Sequence, residues 1–104
     1  MRIQQSAPMA EPAEAARFTG RFGGAGFGFE VTQHERQLFA RVKLNFSSAY
    51  PSQLFCLKLV CENRFAAYTQ DGERMEDFTF LEPNHRGIPQ CLFWGYQLHR
   101  RLEA

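Results

Sequence analysis

From residue 17 onward, apolar and polar side chains alternate with a period of two, the pattern of half-buried β-strands. Residues 37–46 show it most clearly, because apolar side chains at 38, 40, 42, 44 and 46 alternate with polar ones and only Phe39 breaks the pattern. Residues 17–22 and 27–32 alternate in the same way. The pattern predicts a three-stranded antiparallel meander from 17 to 46.

The register of this meander follows from the requirement that both strands of a hairpin place their apolar faces on the same side. With loops at 23–26 and 33–36, every inward pair is apolar. The predicted pairs are Phe22–Phe27, Gly20–Phe29 and Phe18–Val31, then Val31–Leu38, Phe29–Ala40 and Phe27–Val42. This register places the ring of Phe29 over Gly20.

The rest of the chain supplies further strands. Residues 54–61 are apolar on both faces, which is typical of a central strand covered on both sides. Residues 64–69 and 77–82 are predicted strands around an Asp71–Gly72 turn, and 82–89 is a long polar connection. The last segment is predicted to be a strand to about residue 98, followed by a short helical or frayed end.

These elements predict an all-β fold, with six or seven antiparallel strands in a small sandwich or part-open barrel. One domain covers residues 17–104, and residues 1–16, rich in Ala, Pro and Glu, form a flexible tail with one helical turn at 13–16. The expected core is Phe18, Phe22, Phe27, Phe29, Val31, Leu38, Val42, Leu44, Leu57, Leu59, Phe65, Phe78, Phe80 and Trp94.

The amino-acid composition indicates which kinds of partner and which cellular location to expect. The 104 residues include 11 Phe, a side chain that needs burial or an apolar partner. A net charge of +1 provides no large field to attract nucleic acid, a membrane or an acidic substrate. Three cysteines, an odd number, and the lack of a long apolar run predict a cytoplasmic protein with reduced thiols and no membrane contact.

The glycine-rich stretch 20–31 raises the question of phosphate binding. Phosphate-binding loops read G-x-G-x-x-G, but after Gly24 and Gly26 the third position is Phe29. The apolar strand before such a loop and the helix after it are also missing. We therefore interpret residues 23–26 as a hairpin loop, and we expect no bound cofactor.

Metal and catalytic sites are not predicted. Cys56 and Cys61 are five residues apart, so a strand places them on opposite faces and prevents shared coordination. The pair Cys91 and His85 has no signature of nucleophilic catalysis. No catalytic residue and no metal ligand is assigned.

The outer face of the predicted meander is the first candidate binding surface. The register places Arg21 opposite Gly28 and Gly28 opposite Arg41, with Phe39 beside them and Lys43 next along. A glycine floor between cations and an aromatic ring suits a carboxylate-bearing loop, a nucleobase or a phosphate. The same pattern also fits an ordinary solvated face on which an acidic residue neutralises an arginine.

A second candidate is the loop that carries His85 and Arg86, because partner contacts concentrate in long loops. The function predicted from these features is a small non-enzymatic protein-binding module of the accessory, adaptor or inhibitor type found in bacteria and phages. A homodimer through a strand edge or the Phe39 face is an option. The alternative is a single-stranded nucleic-acid-binding β-barrel that uses Arg and Phe side chains.

Overall fold

The structure, a computed structural model, describes residues 15–24, 27–44 and 53–102. Eight strands form a closed barrel in which each strand pairs antiparallel with the next and the last pairs with the first. They are β1 (Gly20–Gly24), β2 (Phe27–His34), β3 (Gln37–Leu44), β4 (Leu54–Cys61), β5 (Arg64–Tyr68), β6 (Arg74–Pro83), β7 (Pro89–Trp94) and β8 (Gln97–Arg101). The predicted all-β antiparallel class is confirmed, whereas the number of strands and the closure of the barrel differ from the prediction.

The predicted meander is present as β1, β2 and β3, but its register differs by two residues. Phe22 pairs with Phe29, and Val31 pairs with Gly20 on one side and with Ala40 on the other. The second hairpin turns within two residues, where Glu35 takes a positive φ of 59°, and not over the predicted four-residue loop. A shift of two preserves the face of every side chain, so the inward set survives although the pairs are wrong.

Strand β4 does not lie between two covering layers. In the closed barrel one face of it points inward with Phe55 and Leu57, which are 1% and 0% exposed. The other face is the outer surface of the barrel, where Cys56 is half-buried and Val60 is 47% exposed. The prediction that both faces are covered is therefore wrong, and the outer side of β4 carries apolar side chains at the protein surface.

The C-terminal segment forms two strands where one was predicted. A two-residue turn at Gly95 and Tyr96 separates β7 from β8, and both residues have positive φ, 60° and 65°. Two-residue hairpin turns of this kind need positive φ at both central positions. Tyrosine rarely adopts that conformation, so the pair Gly95–Tyr96 did not indicate a turn. The apolar residues at 92, 94, 96 and 98 predicted one uninterrupted strand instead. This hairpin completes the barrel.

Aromatic rings fill the interior. The ring of Phe29 lies 5.0 Å from Phe78 and 5.3 Å from Trp94, both in edge-to-face orientation. An eight-stranded barrel has an interior just wide enough to be filled by side chains. Nine predicted core residues are buried, namely Phe18, Phe22, Phe29, Val31, Leu38, Leu57, Phe65, Phe78 and Phe80. Phe27, Val42, Leu59 and Trp94 are partly buried, and the Leu44 side chain lies outside the described residues.

A turn that precedes β1 closes one end of the barrel. The N–H of Phe18 donates to the Ala15 carbonyl at 3.1 Å, and the Phe18 ring packs against Phe80 at 4.9 Å. Ala15 is 1% exposed and belongs to the core. Residues 15 and 16 are helical, while residues 1–14 of the predicted tail lie outside the described residues.

Arg101 fastens this turn to the barrel. Its guanidinium donates to the carbonyl oxygens of Pro89 at 2.6 Å, Thr19 at 2.7 Å and Arg17 at 3.2 Å. It also lies 4.6 Å from the centre of the Phe22 ring, a cation–π contact. One side chain thus joins β8, β7 and the segment before β1 at the seam where the barrel closes.

Replacing Phe29 by Ala is expected to lower the free energy of unfolding by about 3–5 kcal/mol, because the cavity left at the centre of the ring cluster cannot collapse in a closed barrel. Urea denaturation monitored by Trp94 fluorescence measures it. Phe93→Ala is the control, since Phe93 is 39% exposed on the outer surface and should cost far less. Equal losses in the two variants would contradict this account of the core.

Candidate binding surfaces

The prediction that Gly28 lies between the guanidinium groups of Arg21 and Arg41 is wrong. In the observed register Arg21 pairs with Glu30, and Glu30 pairs with Arg41. A carboxylate therefore lies between the two arginines, and the Lys43 ammonium is 3.6 Å from the same carboxylate. The register shift of two residues kept the same side chains inside the barrel. On the outer face, it replaced Gly28 by Glu30 between the two arginines, so positive and negative charges alternate there.

Gly28 lies elsewhere in the sheet, between Gly23 on β1 and Lys43 on β3. A Cβ atom on Gly23 would lie 2.6 Å from the Phe27 carbonyl oxygen and 2.7 Å from the Gly28 Cα atom. Glycine is thus required here because the two strands approach too closely for a side chain. The glycine-rich stretch serves this close approach within the hairpin, and residues 25 and 26 of the predicted loop lie outside the described residues.

Phe39 belongs to a different part of the outer surface. It pairs with Cys56 on β4, which pairs with Tyr68 on β5. These side chains border a concavity of about 250 Å³ on the outer wall of the barrel. We call it the Phe39 groove, and its lining is Phe39, Leu54, Cys56, Tyr68, Thr69 and Gln70.

Cationic groups lie next to the Phe39 groove. The Lys58 ammonium is 5.5 Å from the centre of the Tyr68 ring, and the Arg74 guanidinium is 5.7 Å from it. Arg74 also bonds to the Asp77 carboxylate at 2.7 Å, whereas the described residues give Lys58 no carboxylate within ion-pair distance. Burial raises the pKa of the Cys56 thiol, so this group stays protonated near neutral pH.

His85 and Arg86 are exposed in the loop between β6 and β7. The Asn84 carboxamide oxygen accepts hydrogen bonds from the backbone N–H groups of Arg86 at 2.9 Å and Ile88 at 3.0 Å. This Asx-type arrangement holds the loop in one conformation. The loop lies at the barrel end closed by the N-terminal turn, so the structure does not bring these two side chains together with the β1–β3 face.

Tyr68 and Lys58 were not assigned to a binding surface from the sequence. Tyr68 and Lys58 lie on strands whose register the sequence left open, so nothing connected them to Phe39. Leu54 and Cys56 did give a signal, because they are apolar residues on the face of β4 that carries Lys58. Together with Phe39, the one break in the alternation of β3, they marked the position of an outer apolar patch.

His99 is a buried polar residue that the sequence placed at a chain end. It points into the barrel, is 6% exposed, and its ring lies 5.3 Å from Phe29 and 5.7 Å from Phe27. The Nε2 atom has no hydrogen-bond partner within the described part of the chain. Burial lowers the pKa of this imidazole, so the ring is neutral in the folded protein at neutral pH.

This shift predicts a loss of stability on acidification. Because the pKa of His99 is lower in the folded than in the unfolded chain, the unfolded chain takes up a proton first as the pH falls below about 6.5. The free energy of unfolding should therefore fall between about pH 7 and pH 5. Urea titrations of wild type and His99→Leu measure the contribution, which should be absent in the variant and unchanged in His85→Gln, the exposed control. Identical pH profiles for wild type and His99→Leu would contradict the assignment.

Within residues 15–24, 27–44 and 53–102, no three His, Cys, Asp or Glu side chains are grouped in a way that could hold a metal ion. The same residues contain no helix with the length and apolar character needed to cross a membrane. Comparison of the chain with protein-family models, with curated proteins and with solved structures found no match.

Proposed function

We propose that the chain is a non-enzymatic protein-binding module that receives an apolar anchor residue of its partner in the Phe39 groove. The observation that carries the proposal is an aromatic-lined concavity on the outer wall of a barrel whose core is already complete. Phe39, Leu54 and Cys56 lie on that wall, where they add nothing to the filled interior.

The composition of the groove suits protein recognition. Binding energy at interfaces concentrates in a few residues seated in pockets, and tyrosine is among the residue types enriched there. Tyr68 offers an aromatic face and a hydroxyl at the same place, and Phe39 adds a second ring to the lining. An apolar side chain of about the size of Leu or Phe would exclude water from both rings.

The charges beside the groove indicate the chemistry of the partner. Lys58 lies over Tyr68 without a carboxylate of its own among the described residues. A carboxylate next to the anchor residue would pair with this ammonium at the edge of the interface, which favours specificity and the rate of association. We therefore infer a partner segment in which an apolar or aromatic residue is flanked by Asp or Glu.

Two observations favour a protein partner without catalysis over the alternatives. Burial raises the pKa of the Cys56 and Cys91 thiols, which disfavours the thiolate that a nucleophilic cysteine needs. Glu30 lies between Arg21 and Arg41, so that row would repel phosphate as well as attract it. The outer face of β1–β3 therefore offers a single-stranded nucleic acid fewer favourable contacts than the predicted register, with Gly28 between the two arginines, would have offered.

The test is selection of a displayed random-peptide library on the immobilised protein. We expect enriched peptides to carry an apolar or aromatic residue beside Asp or Glu. Phe39→Ser and Lys58→Glu should weaken the best peptide at least tenfold, as measured by fluorescence anisotropy. Phe93→Ser should leave it unchanged, because Phe93 is a phenylalanine on the outer surface of β7, away from the groove.

Three outcomes would contradict the proposal. Peptides that bind Phe39→Ser as well as wild type would place recognition elsewhere. Sub-micromolar binding of a labelled 20-mer oligonucleotide, lost in Arg41→Glu and falling with salt on a log–log slope near −2 for about three contacts, would favour the nucleic-acid alternative. A dimer in sedimentation that dissociates in Phe39→Ser would mean that a second copy occupies the groove.

A further inference from the structure

A pocket of about 290 Å³ lies at the barrel end that the N-terminal turn closes. Its apolar walls are Phe18, Phe80, Pro83 and Pro89, and its polar lining is Arg17, Glu62, Asn63 and Gly87. A cavity of about 150 Å³ is large enough to take up benzene. This pocket therefore has room for an aromatic ring that carries a polar substituent, and it shares no residue with the Phe39 groove.

Arg17 gives the pocket its chemical character. Its guanidinium lies 4.6 Å from the centre of the Phe18 ring, and Nη1 donates a long hydrogen bond of 3.4 Å to the Gly87 carbonyl, the one that the guanidinium makes with the described residues. The Nε atom is buried and has no hydrogen-bond partner within the described part of the chain. Buried donors are nearly always paired, so the described residues leave this guanidinium, which has five N–H donors, only partly satisfied.

The pocket is built on fixed elements. Arg101 donates to the Arg17 carbonyl at 3.2 Å and to the Pro89 carbonyl at 2.6 Å, so two sides of the pocket are tied to one guanidinium. Asn63 bonds to the Phe80 backbone twice, through its side-chain Nδ2 at 2.6 Å and its carbonyl at 2.8 Å. A binding site with preformed walls loses little freedom when a ligand enters.

The pocket is separate from the Phe39 groove, so its ligand is independent of the proposed protein partner. We propose that the pocket binds a small monocarboxylic acid with an aromatic or branched apolar body, its carboxylate on the Arg17 guanidinium. A carboxylate is a strong acceptor for a guanidinium, and in the pocket it would accept from the N–H groups of Arg17 other than the buried Nε. The exposed carboxylate of Glu62 borders the same pocket and disfavours ligands with two or more negative charges, such as a phosphate.

The experiment compares two probes of nearly equal shape, indole-3-acetate and its neutral amide, indole-3-acetamide. Each is titrated into the isotope-labelled protein and followed by the backbone amide shifts of Asn63, Phe80 and Gly87. We expect saturable shifts at these three residues, with the acid bound at least tenfold more tightly than the amide. Equal affinities, shifts confined to the Phe39 groove, or no shifts at millimolar acid would overturn the proposal.

Substitution of Arg17 tests the same contact from the protein side. Arg17→Met keeps an unbranched apolar stem over Phe18, so it should reduce the affinity for the acid at least tenfold while leaving the affinity for the amide unchanged. Arg86→Met is the matched control, because Arg86 is exposed on the adjacent loop and does not line the pocket. A folded Arg17→Met protein that binds the acid as tightly as wild type would overturn the proposal. Should that variant fail to fold, the comparison of acid with amide on wild type decides.

Discussion

Closure of the sheet around a single column of aromatic rings is the constraint on which the rest of the structure depends. The seam between β1 and β8 is short, with Phe22 opposite Arg101 and Gly23 opposite Arg100. The Leu102 N–H donates to the Arg21 carbonyl at 2.7 Å and extends the seam by one bond. Because Phe22 packs against Phe80 across the interior, the same residue serves the closure and the core. The closed ring leaves none of the eight strands without two neighbours, so the predicted route to a dimer through a free strand edge is not offered by these strands.

A filled, closed barrel also explains why both proposed binding sites lie outside its interior. Aromatic rings in contact with one another and aliphatic side chains occupy the inward positions, and His99 is the one buried polar residue in the described part of the chain. Space for a ligand or partner then lies on the outer wall and at the ends of the barrel, where side chains are not needed for the core. The Phe39 groove uses the wall, and the Arg17 pocket uses the end closed by the N-terminal turn. The two sites share no lining residue.

The arginine side chains at this end of the barrel matter for the hydrogen bonds and ring contacts that they make, more than for the net charge of the chain. The chain carries only +1 overall, yet Arg101 satisfies three backbone carbonyls and covers a ring, a task for which the fork of N–H donors is suited. Arg17, two residues before Thr19, has the same side chain and a ring beneath it, but its guanidinium makes one long hydrogen bond with the described residues. This difference between two guanidinium groups at the same barrel end is why we assign Arg101 to the structure and propose Arg17 for ligand binding.

The sequence by itself determined the all-β class, the three-stranded meander and most of the inward residues. Alternation of period two is a local property, and it survives a register error of two, which is why Phe22, Phe29 and Leu38 were assigned correctly to the core while their partners were not. Only the tertiary structure decided the register, the hairpin at Gly95, the closure of β8 on β1 and the exposed side of β4. These features depend on loop lengths, on a positive φ at Tyr96 and on contacts between residues about 80 positions apart, none of which leaves a local pattern. The candidate surfaces followed the same division: Phe39 was visible as a break in alternation, whereas Tyr68 and the Arg17 pocket exist only because distant segments meet.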